Sequence, residues 1–205
     1  MNQILLLPQN KDIVSDFYIG TEEGAMIDGS LWVPGADYDP RVRPWYEAAK
    51  ATNEVVFTDP YVDMVTNKVA ISIAKKIVNG SGQLQGVVAA DLLIDTLKER
   101  VTSNKFGETG YAFMIDKNGV FLAHPDDSLL NTNIKDIKGL EDLAANMLSN
   151  DYGVEKYTFK GIDKILVFRK VISTNYVIGV TINQAEAYKD LRSLQLIYIL
   201  VIAGV

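Results

Sequence analysis

Hydrophobic and polar positions change their spacing repeatedly along the chain, and each change marks a predicted element. Phe17 to Val33 (FYIGTEEGAMIDGSLWV) alternates short β-rich runs with Gly-containing turns, a hairpin pattern. The Gly-, Pro- and Asp-rich loop PGADYDPRVRP leads into WYEAAKAT, where Trp45, Ala48 and Ala49 are spaced for a short helix. KVAISIAKKIV places Val69, Ile71 and Ile73 on one strand face, and after the turn NGSGQ the apolar run LQGVVAAD completes an antiparallel hairpin. DLLIDTLKERVTSN follows, with Leu93, Leu97 and Val101 at helical spacing, which predicts an amphipathic helix over Asp91 to Asn104.

The second half repeats the theme. GETGYAFMIDKNGVFLAHP reads as two strands about a tight turn at Asp116-Lys117-Asn118-Gly119, because Asn and Gly tolerate positive φ. A helix, GLEDLAANMLSN, precedes YGVEKYTFKG and DKILVFRKVISTNYVIGVTIN, which supply two or three more strands. Antiparallel strands with a few helices, occurring twice, make an α+β protein with two sheet modules, joined by the helix at Asp91 to Asn104. From Gln184 the last strand passes into a helix and then into LQLIYILVIAGV, an almost uncharged run. A spanning helix takes about 20 apolar residues, so this run is read as the first half of a transmembrane segment, the alternative being a buried terminal helix. MNQILLLPQN lacks the charged and apolar regions of a signal peptide.

Composition narrows the function classes. The 205 residues are 48% hydrophobic and 22% charged, which suits a folded globular protein. A formal net charge of -6 with no extended basic cluster speaks against nucleic acid or an anionic membrane surface as partner. Absence of cysteine removes disulfides, thiolate metal sites and cysteine nucleophiles, and the single histidine, His124, weakens triad and multi-histidine readings. His124 with Asp126 and Asp127 in LAHPDD is read as a hydrogen-bonded turn, since its spacing fits no established ligand pattern, and DKNG lacks the further ligands of a calcium loop. No metal and no cofactor is expected, and the chain reads as a binding module, not an enzyme.

The chemistry-bearing residues lie between Tyr38 and Asp91. A zwitterionic amino acid needs a fixed cationic donor for its carboxylate, and acceptors with an aromatic face for its ammonium. In YDPRVRPWY, Pro44 restricts Arg43 to an extended conformation, so its guanidinium and the Trp45 indole N–H could share one carboxylate. In DPYVD, Tyr61 and Asp63 are two apart and share a face if the segment is extended. Asp91 ends the apolar run GVVAA, where a charge is costly without a cation to meet it. Each residue also has a structural alternative: Arg43 could pair with Asp39 or Glu47, Asp63 could belong to a turn, Asp91 could cap the following helix, and Trp45 and Tyr46 could be core.

The run YDPRVRPWY, followed by YVD, ISIA and GVVAAD, resembles the amino-acid-binding signature of double Cache domains, the sensor modules of many methyl-accepting chemotaxis proteins. GYAFMIDKNGVFLAHPD resembles the opening of their membrane-proximal module, so the resemblance covers nearly the whole chain. It implies two PAS-like antiparallel-sheet modules: a remnant of an N-terminal helix at 1–16, a membrane-distal ligand-binding module at 17–104, a membrane-proximal module at 105–183, and a helix leading into the membrane at 184–205. It implies that Arg43 and Trp45 hold the ligand carboxylate while Tyr38, Tyr61, Asp63 and Asp91 surround its amino group, with Tyr46 adjoining. The lining for the ligand side chain is expected around Met26 to Trp32 and Val65 to Lys68. The resemblance further implies an inner-membrane receptor with this region periplasmic or extracellular, a homodimer in the full receptor, and a free L-amino acid as partner. Alternatives are the same sensor on a histidine kinase or cyclic-dinucleotide enzyme, a different ligand such as an organic acid or amine, and a hydrolase or lyase using Asp63 and Asp91. Most of the family's long N-terminal helix is expected to be missing.

Overall fold

The computed structural model describes residues 14–189. The chain divides into two compact units between Leu97 and Lys98. The first contains β1 (Val14–Thr21), β2 (Met26–Asp28), α1 (Pro44–Lys50), β3 (Val56–Phe57), β4 (Tyr61–Val62), β5 (Val69–Val78) and β6 (Leu84–Leu93). They build an antiparallel sheet in the order β2-β1-β6-β5-β3, with β4 also paired to β5. The β5–β6 hairpin turns where NGSGQ predicts it: the Asn79 side-chain oxygen accepts from the N–H groups of Ser81 and Gln83, each at 3.0 Å, and Gly82 takes φ 81°.

Helix α1 covers one face of this sheet because the strands beneath it carry small residues. Trp45, Tyr46 and Ala49 are buried there together with Ala74, Val87, Ala89 and Tyr18. At Gly20 the approach is closest: a Cβ would lie 2.7 Å from Trp45 Cη2 and 2.8 Å from Pro40 Cβ, so no larger residue fits without displacing the helix. Burial of Trp45 and Tyr46, 2% and 0% exposed, is what anchors so short a helix.

Two sequence expectations change here. The helix expected from Asp91 begins at Ile94, as α2 (Ile94–Thr102), because Asp91, Leu92 and Leu93 continue the β6 ladder opposite Ser72, Ile71 and Ala70. Asp91 is therefore a strand residue and not a helix cap. The segment expected as a helix remnant at 1–16 enters β1 at Val14, since Val14 and Asp16 pair with Leu92 and Asp91. Residues 1–13, with the rest of that remnant, and residues 190–205, which carry the expected membrane-spanning run, lie outside the described residues. Among the described residues no helix is long and apolar enough to cross a membrane.

The second unit contains β7 (Lys105–Phe106), β8 (Gly110–Ile115), β9 (Phe121–Ala123), α3 (Glu141–Ser149), β10 (Tyr152–Phe159), β11 (Ile162–Val171), β12 (Tyr176–Asn183) and the short α4 (Gln184–Ala187). Its antiparallel sheet runs β10-β11-β12-β8-β7, with β9 on β8. Phe113, Ile115, Leu166, Phe168 and Val177 pack from the sheet against Leu143, Ala144 and Met147 of α3. The turn at Asp116 forms as expected: its carboxylate accepts from the N–H groups of Asn118 and Val120, each at 2.8 Å, with Gly119 at φ 91°. The two antiparallel sheets with few helices bear out the expected α+β architecture.

Candidate ligand-binding site

Strand register assembles the acidic side of the site. Asp16 of β1, Asp91 of β6 and Ser72 of β5 stand directly opposite one another across two ladders. Opposed residues in antiparallel ladders project from the same face, so one row of polar side chains crosses three strands on the side that α1 partly covers. Asp91 is 3% exposed and Ser72 is fully buried.

Three hydroxyls converge on the Asp91 carboxylate. Ser72 Oγ and Tyr18 Oη each donate to Oδ1 at 2.6 Å, and Tyr61 Oη reaches both oxygens at 3.2 and 3.3 Å. The hydroxyls also touch each other, Tyr61 to Ser72 at 2.7 Å and Tyr18 to Ser72 at 2.9 Å, so single protons are shared among competing acceptors. Burial raises the Asp91 pKa above its ordinary value; the hydroxyls of Ser72 and Tyr18 oppose this and the charge of Asp63 adds to it. Burial, then the Asp91 charge, pushes the Tyr61 hydroxyl up to about 12. Among the described residues the carboxylate has no ion pair.

The cationic side is set by the start of α1. Arg43 occupies the N-cap with extended φ -83° and ψ 147°, and Pro44 follows at the first helical position, as the sequence predicts. The guanidinium of half-buried Arg43 lies 5.8 Å from the centroid of the Tyr38 ring, and it makes no ion pair among the described residues. Asp39, the expected competitor, pairs at 2.8 Å with Arg41. Burial raises the Tyr38 hydroxyl pKa, against the opposing pull of Arg43 and the Trp45 indole.

Tyr38, Arg43, Trp45, Tyr61, Asp63 and Asp91 all line one cavity of about 110 Å³. That is comparable with the roughly 150 Å³ cavity that takes up benzene, so a small organic molecule fits. Asp63 also belongs to a turn, accepting at 2.7 Å from the Thr66 N–H and at 2.5 Å from its hydroxyl. Tyr46 is the exception among the expected residues. Adjacent helix residues are rotated by roughly 100°, so when Trp45 faces the cavity Tyr46 does not; it is wholly buried, and its hydroxyl donates to Glu22 Oε2 at 2.8 Å. In the regions expected to hold the ligand side chain, Met26, Asp28, Ser30 and Trp32 line the cavity, as do Val65 and Thr66, whereas Lys68 does not; Met64, just outside those regions, lines it too.

Sequence reasoning missed Tyr18, Ser72 and Asp16. A signal existed for Ser72, a lone polar residue inside the apolar run VAISIA. Tyr18 and Asp16 alternate on β1, but the pairing with β6 that sets them beside Asp91 is not a local pattern.

The Cache domain family model of the double Cache type matches residues 1–191. The chain belongs to the double Cache family. This double Cache chain is 35% identical over 174 residues to the methyl-accepting chemotaxis protein McpB of Bacillus subtilis (strain 168), covering 84% of the chain and 25% of that protein. It is 30% identical over 181 residues to PctB of Pseudomonas aeruginosa, another methyl-accepting chemotaxis protein, covering 87% of the chain and 28% of PctB. It thus spans about a quarter of the length of these curated relatives. Among solved structures it is similar to the ligand-binding domain of the P. aeruginosa amino acid chemoreceptor PctB in complex with L-Arg, with TM-score 0.68, 29% identity, and coverage of 90% of this chain and 77% of that one. The ligand-binding domain of the Pseudomonas fluorescens chemoreceptor CtaA in complex with L-serine matches with TM-score 0.66 and 27% identity, covering 88% of this chain and 78% of that one.

Proposed function

We propose that the cavity of the first unit binds a free L-amino acid, and that the chain is the extracytoplasmic sensor region of a membrane-bound chemoreceptor, not an enzyme. Arg43 and the Trp45 indole would take the ligand carboxylate, with Tyr38 stacked beside the guanidinium; Asp91, Asp63 and Tyr61 would take its ammonium. The observation that carries this reading is a half-buried guanidinium with no ion pair among the described residues and a buried carboxylate with raised pKa, both lining one small cavity. Each is costly to leave uncompensated, and a zwitterion satisfies both at once. Structural relatives bound to L-Arg and L-serine support the same ligand class.

On this reading the first unit is the membrane-distal module and the second the membrane-proximal one, with the chain beyond Gln184 leading into the membrane and a homodimer formed in the full receptor. A bound amino acid would shift the receptor between states only as far as it binds one state more tightly. A thermal-shift screen of the twenty amino acids with common organic acids and amines tests the ligand class. At 100 times its Kd a ligand of the native state stabilises by about 2.7 kcal/mol, so at least one L-amino acid is expected to raise the midpoint. Stabilisation by organic acids alone would overturn the reading.

A further inference from the structure

Among the described residues four carboxylates line the cavity, Asp16, Asp28, Asp63 and Asp91, and one cation, Arg43. A zwitterion adds equal and opposite charges and leaves that imbalance of three as it found it. Asp91 and Asp63 lie with Tyr61 on one side of the chemistry already described. Asp16 and Asp28 are left over.

These two carboxyls adjoin one another. β1 and β2 are paired with Asp28 opposite Tyr18, which places Asp28 diagonally across from Asp16 on the same face, near enough for the Asp28 charge to raise the Asp16 pKa. Asp16 is 7% exposed. The two oxygens of Asp28 differ in their duties. Oδ1 holds the loop after β2, accepting from the Ser30 N–H at 2.8 Å, the Ser30 hydroxyl at 2.6 Å and the Trp32 N–H at 3.1 Å. Oδ2 is buried, lines no such loop contact, and has no donor among the described residues. A contact between two carboxyls can be a hydrogen bond only while one holds a proton; with both ionised, Oδ2 faces like charge without a donor.

Resting on the amino-acid reading above, we infer that Asp16 and Asp28 receive a second positive charge carried by the ligand, making the cavity selective for L-amino acids with a basic side chain, such as lysine, ornithine or arginine. The remaining lining suits such a chain. Met26 and Met64 are flexible thioethers and Trp32 offers an aromatic face, against which a methylene stem packs while its charged end reaches the carboxyls. A cationic terminus offsets the repulsion between the two carboxylates and supplies the donor that Asp28 Oδ2 lacks.

Titration calorimetry on the full chain with L-lysine and with L-norleucine tests this, since the two differ at the side-chain terminus by one ammonium group. L-lysine is expected to bind at least tenfold more tightly. In Asp16→Asn that preference falls below about threefold, while a cooperative thermal unfolding transition of the unliganded variant reports an intact fold. Asp28→Asn provides an independent second variant, because Asn keeps an acceptor oxygen for Ser30 and Trp32. Equal affinities in the parent protein, or a lysine preference that survives both substitutions, overturn the inference and leave the amino-acid reading standing. Absence of binding by either compound and by every other L-amino acid overturns both.

Discussion

Ser72 Oγ donates to Asp91 Oδ1 at 2.6 Å from the residue directly opposite it on the neighbouring strand. This bond, with those of Tyr18 and Tyr61, favours the ionised form of a carboxylate that burial disfavours. Hydrogen bonds to charged groups contribute roughly 1.5–3 kcal/mol. Ser72→Ala is therefore expected to weaken amino-acid binding about tenfold or more at pH 7. It also moves the acid limit of binding to higher pH, because Asp91 then holds its proton more strongly. Calorimetric titrations from pH 5 to 8 on parent and variant check both effects, and superimposable pH profiles would remove Ser72 from the site.

Arg43 separates binding from folding. It forms no ion pair among the described residues and contributes no side-chain cap to α1. Arg43→Ala is expected to change the unfolding free energy of the unliganded protein by about 0.5 kcal/mol or less while abolishing measurable ligand stabilisation. Denaturant unfolding with and without ligand measures the two quantities together.

Tyr46 serves as the internal control. Tyr46→Phe removes the hydroxyl that reaches Glu22 and nothing that lines the cavity. A stability loss of about 1 kcal/mol is expected, with the ligand Kd unchanged. A large change in Kd would restore Tyr46 to the site.

Gly20 tests the packing that places Trp45. The added methyl of Gly20→Ala meets Trp45 and Pro40 at under 3 Å, and overpacking of this kind costs roughly 1–3 kcal/mol. The helix must shift to relieve it, and Arg43 and Trp45 shift with it. Loss of stability together with loss of affinity is the expected outcome, read by thermal unfolding and calorimetry.

Asp16 gives a pH signature in the unliganded protein. Burial first, then the neighbouring Asp28 charge, raises its pKa from 3.8 to about 6; the Phe17 N–H and Ser30 oppose the rise, and Asp91 stands opposite on β6. The folded state then binds more protons than the unfolded state between about pH 4 and 6, so this group's contribution to stability is lost as pH rises through that window. Asp16→Asn is expected to raise the melting temperature relative to the parent at pH 7.5 and to raise it less at pH 4.5. A difference that does not depend on pH would show that Asp16 titrates normally.

Much of the fold and site was legible because it is written in local patterns. The Asn79 and Asp116 turns, the β5–β6 hairpin and the extended Arg43 before Pro44 each depend on neighbours within a few residues. The start of α2 was misplaced because Leu93, Leu97 and Val101 fit a helical stripe, while the ladder to Ala70, Ile71 and Ser72 that holds Asp91 to Leu93 in a strand comes from a distant segment. Tyr46 adjoins the motif in sequence, although helix geometry keeps it out of the cavity that Trp45 lines. Asp16, Tyr18 and Ser72 escaped notice since their roles arise only when β1, β6 and β5 lie side by side.

The central claim is that one cavity reads both ends of a free amino acid, through Arg43 and Asp91. Isothermal titration of the full chain with its best L-amino acid, the methyl ester and the N-acetyl derivative of that amino acid, and the Arg43→Ala and Asp91→Asn variants tests it most directly. The free amino acid is expected to bind the parent protein, while each derivative and each folded variant loses at least 100-fold in affinity, about 2.7 kcal/mol. Binding of either derivative, or by either variant, with the parent's Kd would contradict it.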